Sequence, residues 1–153
     1  GATTLQFARR VAVECSHLTI ITHAFSIAMV LASNPAHKVL MLPGQYDGRE
    51  DLIHGAEAID ALQRFRASKA FLGASGITAE GPNDAGVGPG LIYGAMMRRA
   101  SETIILADPS KFERPSLSVY GEWSASVTLV SDQAPEGTLA ASLRQAQVKV
   151  LSV

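Results

Sequence analysis

The sequence predicts an α/β domain built on a mainly parallel β-sheet with helices on both faces. Three observations predict it. Apolar runs of strand length alternate with amphipathic stretches of helix length along all 153 residues. Most of the strand-like runs are continuously apolar, as strands covered on both faces require. Hydrophobic residues make up 47% of the chain and charged residues 18%, a balance that builds a core and is not that of a disordered chain. No internal repeat, low-complexity tract or linker divides the chain, so residues 1–153 read as one domain.

The elements follow in order. Thr3 to Cys15 reads as a helix, with Thr3 or Thr4 as N-cap and Phe7, Ala8, Val11, Ala12 and Cys15 on its apolar face. Leu18 to Thr22 is a strand rich in β-branched residues. Phe25 to Ala32 is a helix that Asn34-Pro35 stops. Lys38 to Leu42 is a strand ended by Pro43-Gly44, Glu50 to His54 a short strand, and Ala56 to Phe65 a helix. Lys69 to Leu72 is a strand running into Gly73-Ala74-Ser75-Gly76. Glu80 to Gly90 reads as a glycine-rich loop, and Leu91 to Ala100 as the helix it feeds. Thr103 to Ala107 is a strand that breaks at Asp108-Pro109. Val127 to Val130 is a further strand, Gly137 to Gln145 a helix, and Val148 to Leu151 the last strand.

Composition excludes several functions. With 13 basic against 14 acidic side chains, the chain has no basic surplus, and no basic stripe is visible. Direct nucleic-acid binding by this segment is therefore not expected. The single cysteine, Cys15, rules out an internal disulfide framework and fits a reducing, cytoplasmic setting. Its apolar surroundings predict a buried structural thiol. No apolar run reaches the ~18 residues needed to span a bilayer, so no membrane association is expected. No signal peptide is evident. The chain begins at Gly1 inside a turn-like Gly-Ala-Thr-Thr, and the natural protein is expected to carry more on its N-terminal side. The four histidines, at 17, 23, 37 and 54, lack metal-ligand spacing, so neither a metal nor another cofactor is expected.

In parallel sheets, ligands bind beyond the carboxyl ends of the strands. Polar residues gather there at Thr22-His23, Gly44 to Arg49, Gly73 to Gly76 and Asp108 to Lys111. Gly1-Ala2-Thr3-Thr4 opens a helix with small residues and two hydroxyls. Two readings fit it: an ordinary capped helix, or a cradle of backbone N–H groups for a phosphate. Asp108-Pro109-Ser110-Lys111-Phe112 also has two readings: a solvated turn, or a lysine reaching over the sheet edge toward an anion with Asp108 orienting it. The glycines from Gly86 to Gly94 match neither a dinucleotide fingerprint nor a Walker loop. No serine sits in a nucleophile elbow, and no catalytic residue is assigned.

Taken together, these segments resemble the C-terminal sensor domain of the DeoR family of transcriptional regulators. Gly1-Ala2-Thr3-Thr4 is similar to the family's glycine-threonine loop, and Ile20-Ile21-Thr22-His23 to a strand usually ending in threonine-asparagine. Leu42-Pro43-Gly44 through Arg49 resembles its glycine-glycine-x-arginine turn, and Gly55 its following glycine. Lys69 to Ile77 is close to the usual form. Asp108-Pro109-Ser110-Lys111-Phe112 is the most characteristic match, and Val130-Ser131-Asp132 resembles a later threonine-aspartate. The resemblance covers nearly the whole chain in family order.

That resemblance implies a fold similar to ribose-5-phosphate isomerase. It further implies a cytoplasmic homo-oligomer, dimer or tetramer, that binds a phosphorylated sugar or related metabolite. Such a protein reaches DNA only through a separate N-terminal winged helix-turn-helix domain. The effector-binding residues it implies are Gly1, Thr3, Thr4, His23, Arg49, Ser75, Gly76, Asp108 and Lys111. Three departures surround them: His23 stands where asparagine is usual, Pro43 replaces the first glycine of the pair, and Gly81 to Gly90 is unusually rich in glycine and proline. The alternative is a sugar-phosphate isomerase-like enzyme, which needs a carboxylate to shuttle a proton between carbons. Isomerases similar to this fold carry acids in the loop after the central strand, whereas Gly73 to Gly76 has none. Glu80 and Asp84, nearby in sequence, are the acids that keep the enzyme reading open.

Overall fold

A computed structural model describes residues 1–153. The chain forms two compact units, Gly1–Arg64 and Phe65–Val153.

The first unit begins with helix α1 (Ala2–Glu14), followed by β1 (Thr19–Thr22), α2 (Phe25–Ala32) and β2 (Lys38–Met41). β1 and β2 pair in parallel, Ile20 opposite Val39, the arrangement that a strand–helix–strand crossover produces. Ala8 and Ala12 of α1 pack with Leu31 of α2, and Ile20 and Val39 join them. The small alanines let the two helices approach closely. Asn34, read from sequence as a helix stop, ends α1 as well as α2: its side-chain amide donates to the carbonyls of Ala12 and Cys15. Cys15 is exposed, which corrects the expected buried thiol. The helix stops at Glu14, and the extended backbone of Cys15 carries its side chain off the apolar face. The unit closes with β3 (Gln45–Asp47), an antiparallel partner of β4 (Leu52–His54), and with α3 (Ala56–Leu62).

The second unit contains β5 (Ala67–Gly73), β6 (Gly76–Thr78), β7 (Gly81–Asp84), α4 (Val87–Arg99), β8 (Ala100–Leu106), a 3-10 turn (Pro109–Lys111), β9 (Ser118–Val119), β10 (Val127–Ser131), α5 (Gly137–Gln145) and β11 (Lys149–Ser152). β5, β8, β10 and β11 make a four-stranded, wholly parallel sheet flanked by helices, laid down in chain order. The expected α/β class therefore holds. Leu72, Ile105 and Leu129 stand side by side across three strands and are almost completely buried. Leu139 and Leu143 of α5 pack on them, with Tyr93, Met96 and Met97 of α4 against the same cluster.

Residues 80–90, expected to be a loop, contain strand β7 and the first turn of α4. β6 and β7 pair antiparallel, and β9 adds to β7. Pro82 lies in the central strand of this three-stranded sheet, a position that ordinarily argues against a strand. Helix α4 also begins four residues earlier than expected. Pro89 falls in its first turn, where a missing N–H costs nothing.

Leu129 is fully buried at the centre of the larger core. Leu129→Ala is expected to lower unfolding stability by about 2–5 kcal/mol in urea titration, through lost burial and a residual cavity.

Candidate functional site

In the Phe65–Val153 unit, the candidate residues leave one edge of the parallel sheet. Gly73 pairs with Leu106, and Leu106 with Val130, so β5, β8 and β10 finish in step. The segments carrying Ser75 and Gly76, Asp108 and Lys111, and Asp132 follow directly. The Tyr120 hydroxyl donates to the Gly73 carbonyl at 2.6 Å and pins the end of β5. Burial pushes the Tyr120 phenol well above its usual range, so it stays protonated as a donor.

After β8, Asp108 caps the 3-10 turn. Its carboxylate accepts the Ser110 amide at 2.9 Å and also the Ser110 hydroxyl. These hydrogen bonds, the side-chain one first, hold the Asp108 carboxyl below the usual carboxylate range. Lys111 ends the same turn and is half-buried, its amide donating to the Asp108 carbonyl. The turn is therefore held by its own hydrogen bonds. Beyond it, Glu113 donates its amide to the Ile77 carbonyl, which ties the lysine-bearing segment to β6.

Ser75 and Gly76 are enclosed by partners distant in sequence. Gly76 is buried, and a Cβ there would lie 1.7 Å from the Arg114 carbonyl oxygen. The close backbone approach alone therefore demands glycine at this position. The Ser75 hydroxyl donates to Asp84 at 3.4 Å and accepts the Ala85 amide at 3.2 Å. Asp84 in turn accepts the Gly86 amide at 2.9 Å at the start of α4. The stretch 73–76 lacks an acid, but the hairpin delivers one beside it. Nothing local in the sequence signals this pairing, because it depends on the β6–β7 register. The other acid noted in sequence, Glu80, is exposed between those strands.

In the Gly1–Arg64 unit, Gly1 starts α1 and its carbonyl accepts the Leu5 amide. The Thr4 hydroxyl donates to the Gly1 carbonyl at 3.0 Å and accepts from the Gly1 amino group at 3.2 Å. Thr3 is exposed. No acidic residue occupies the first turn, so no side-chain charge offsets the positive end of the helix dipole. His23 follows β1 and is buried. Burial above all pushes its pKa down to about 4, with His54 adding to the shift. The imidazole is neutral at physiological pH. Its carbonyl accepts the Ile53 amide, which docks the β3–β4 hairpin on the end of β1.

Arg49 is exposed in the turn of that hairpin, where its amide donates to Asp47. Asp51 is a residue the sequence did not single out. Its carboxylate accepts the Ser26 amide at the start of α2 and the Tyr46 hydroxyl, joining hairpin to helix. Gly44 has φ +146°, and a Cβ there would lie 2.7 Å from the His54 carbonyl oxygen. The second glycine of the expected pair is thus a backbone requirement.

The four-stranded parallel sheet flanked by helices is an α/β fold of the sugar-phosphate isomerase-like type, as the family match also gives. The family model described as the DeoR C terminal sensor domain matches residues 1–133, and the chain belongs to that family. Several curated relatives are named as repressors. The chain is 29% identical over 124 residues to the HTH-type transcriptional repressor GlcR of Bacillus subtilis (strain 168), covering 81% of this chain and 47% of the relative. It is 24% identical over 150 residues to the HTH-type transcriptional repressor CsqR of Escherichia coli (strain K12), covering 97% and 58%. It is 29% identical over 123 residues to the glycerol-3-phosphate regulon repressor of Haemophilus influenzae (strain ATCC 51907 / DSM 11121 / KW20 / Rd), covering 78% and 47%. The chain thus spans about half the length of these relatives.

His23 makes a pH prediction. Its folded pKa lies below its unfolded value, so the unfolded chain takes up a proton first as pH falls. The stability held by the neutral imidazole is complete above about pH 6.5 and is lost between there and about pH 4. The loss amounts to roughly 3 kcal/mol. Urea unfolding of the wild type and of His23→Asn, measured across that window, is expected to show a shallower pH dependence in the variant.

Proposed function

We propose that this chain is the effector-sensing domain of a bacterial, cytoplasmic transcriptional regulator that binds a phosphorylated sugar or related metabolite. Occupancy would be coupled to DNA binding through a winged helix-turn-helix domain on the N-terminal side of residues 1–153. The single observation that carries the ligand class is the capped turn after β8. Asp108 rigidifies it, and Lys111 supplies a cation at the edge where parallel sheets bind ligands. A lysine is a point charge well suited to a phosphate. One relative's name refers to a glycerol-3-phosphate regulon, which supports a phosphorylated polyol or sugar.

Ser75 and the Gly76 backbone belong to the same edge as Lys111. In the first unit, Gly1, Thr3 and Thr4 at the start of α1, with His23 and Arg49, are the groups assigned to the effector. A ligand shifts an equilibrium only by its differential affinity for two states, so occupancy must favour one arrangement of a dimer or tetramer. A sensor has no need of turnover, and the matched relatives are named as repressors.

A thermal-shift screen of phosphorylated sugars tests the reading. A bound effector at about 100 times its Kd adds roughly 2.7 kcal/mol to stability, and Lys111→Ala is expected to weaken that binding by at least about tenfold in calorimetry. Unchanged affinity in Lys111→Ala would refute the anion assignment. Turnover of pentose or hexose phosphates by the domain would replace the sensor with the isomerase-like enzyme.

A further inference from the structure

We propose that Asp84 is the group that reads the effector's hydroxyls and rejects ligands carrying a second anionic group at that position. The inference rests on the phosphosugar reading above and adds to it a residue that sets specificity.

Ser75 follows β5 and is the obvious hydroxyl contact from sequence, yet its own hydroxyl is largely committed. It has one proton, given to Asp84, and one lone pair engaged by the Ala85 amide. What remains is a single acceptor site. A sugar hydroxyl needs a strong acceptor for its own proton, and the neighbouring carboxylate provides one. Asp84 receives the Ser75 hydroxyl on Oδ1 and the Gly86 amide on Oδ2. A carboxylate offers roughly four lone-pair sites, so about half of its capacity is open. The residue is half-buried, neither sealed in the core nor fully solvated.

Its position is fixed by the backbone. Gly76 pairs with Asn83, and the Ser75 amide donates to the Asn83 carbonyl at 2.9 Å. These contacts hold the start of α4 beside the end of β5. The Asn83 side-chain amide donates to the Arg114 carbonyl, which ties the same hairpin to the segment that follows Lys111. The Lys111 turn leaves β8 at Leu106, the residue paired with Gly73. One edge therefore presents a cation on one loop and a carboxylate on the next. A ligand with a phosphate at one end and neutral hydroxyls at the other matches both charges. A sugar acid phosphate matches only the cation, because its carboxylate meets that of Asp84, and like charges brought together repel. Ser75 is then a positioning residue that orients Asp84.

The test uses calorimetry on the 153-residue chain with a panel of pentose and hexose phosphates, followed by the best binder and its matched aldonic acid phosphate. The wild type is expected to prefer the sugar phosphate by about tenfold or more, the order expected of a hydrogen bond to a charged group. Asp84→Asn keeps an oxygen for the Gly86 amide and is expected to fold. It should lose about tenfold in sugar phosphate affinity and bring the two ligands within about threefold. Asp84→Glu, which keeps the charge but displaces it, should bind the sugar phosphate more weakly while still rejecting the acid. Ser75→Ala, which removes the group that orients Asp84, is expected to narrow the preference without reversing it; a wild-type preference retained in Asp84→Asn would overturn the proposal. A wild type that binds no member of the panel would overturn the phosphosugar reading and Asp84's role with it, an outcome distinct from binding that ignores Asp84.

Discussion

The register of the parallel sheet in the second unit is the constraint from which the candidate site follows. Leu72, Ile105 and Leu129 are opposite one another and buried, and a slip of one residue in any strand would turn its leucine or isoleucine out of the core. Burying three such side chains therefore holds β5, β8 and β10 in step. Strands held in step end together, at Gly73, Leu106 and Val130, and the loops that follow share one edge. Functional side chains on loops thereby inherit a geometry set by apolar packing beneath them.

Within those loops, aspartates supply the rigidity. Asp47, Asp84 and Asp108 each accept the backbone amide two residues on, all at 2.9 Å. Each converts a chain reversal into a fixed turn, and each turn carries or adjoins a residue assigned to the effector: Arg49, Ser75 and Lys111. A turn held in this way loses little further freedom when a ligand arrives, so less of the interaction energy is spent on ordering.

Much of the fold was legible in the residues. Helix α2 and helix α5 have the bounds their periodicity predicts, and the four parallel strands lie where apolar runs end in glycine, aspartate or serine. Illegible were the features set by partners distant in sequence. The β6–β7 hairpin was masked by Pro82 and by several glycines, and the β9 strand that extends its sheet lies more than thirty residues on. Cys15 looked buried because the helical period carried it onto the apolar face; one residue of helix fewer was enough to expose it.

The sequence by itself determined the α/β class, the family, and the identity of the turn after β8, because alternating apolar runs and the Asp-Pro-Ser-Lys-Phe order are local properties. Only the tertiary structure decided what surrounds Ser75 and Gly76. Gly76 is required by the Arg114 carbonyl, and Ser75 serves Asp84, nine residues away. The acid that seemed absent from the loop after β5 is supplied across a hairpin. Hydrogen bonds act over a few ångströms of space whatever the separation along the chain, and only folding sets that distance.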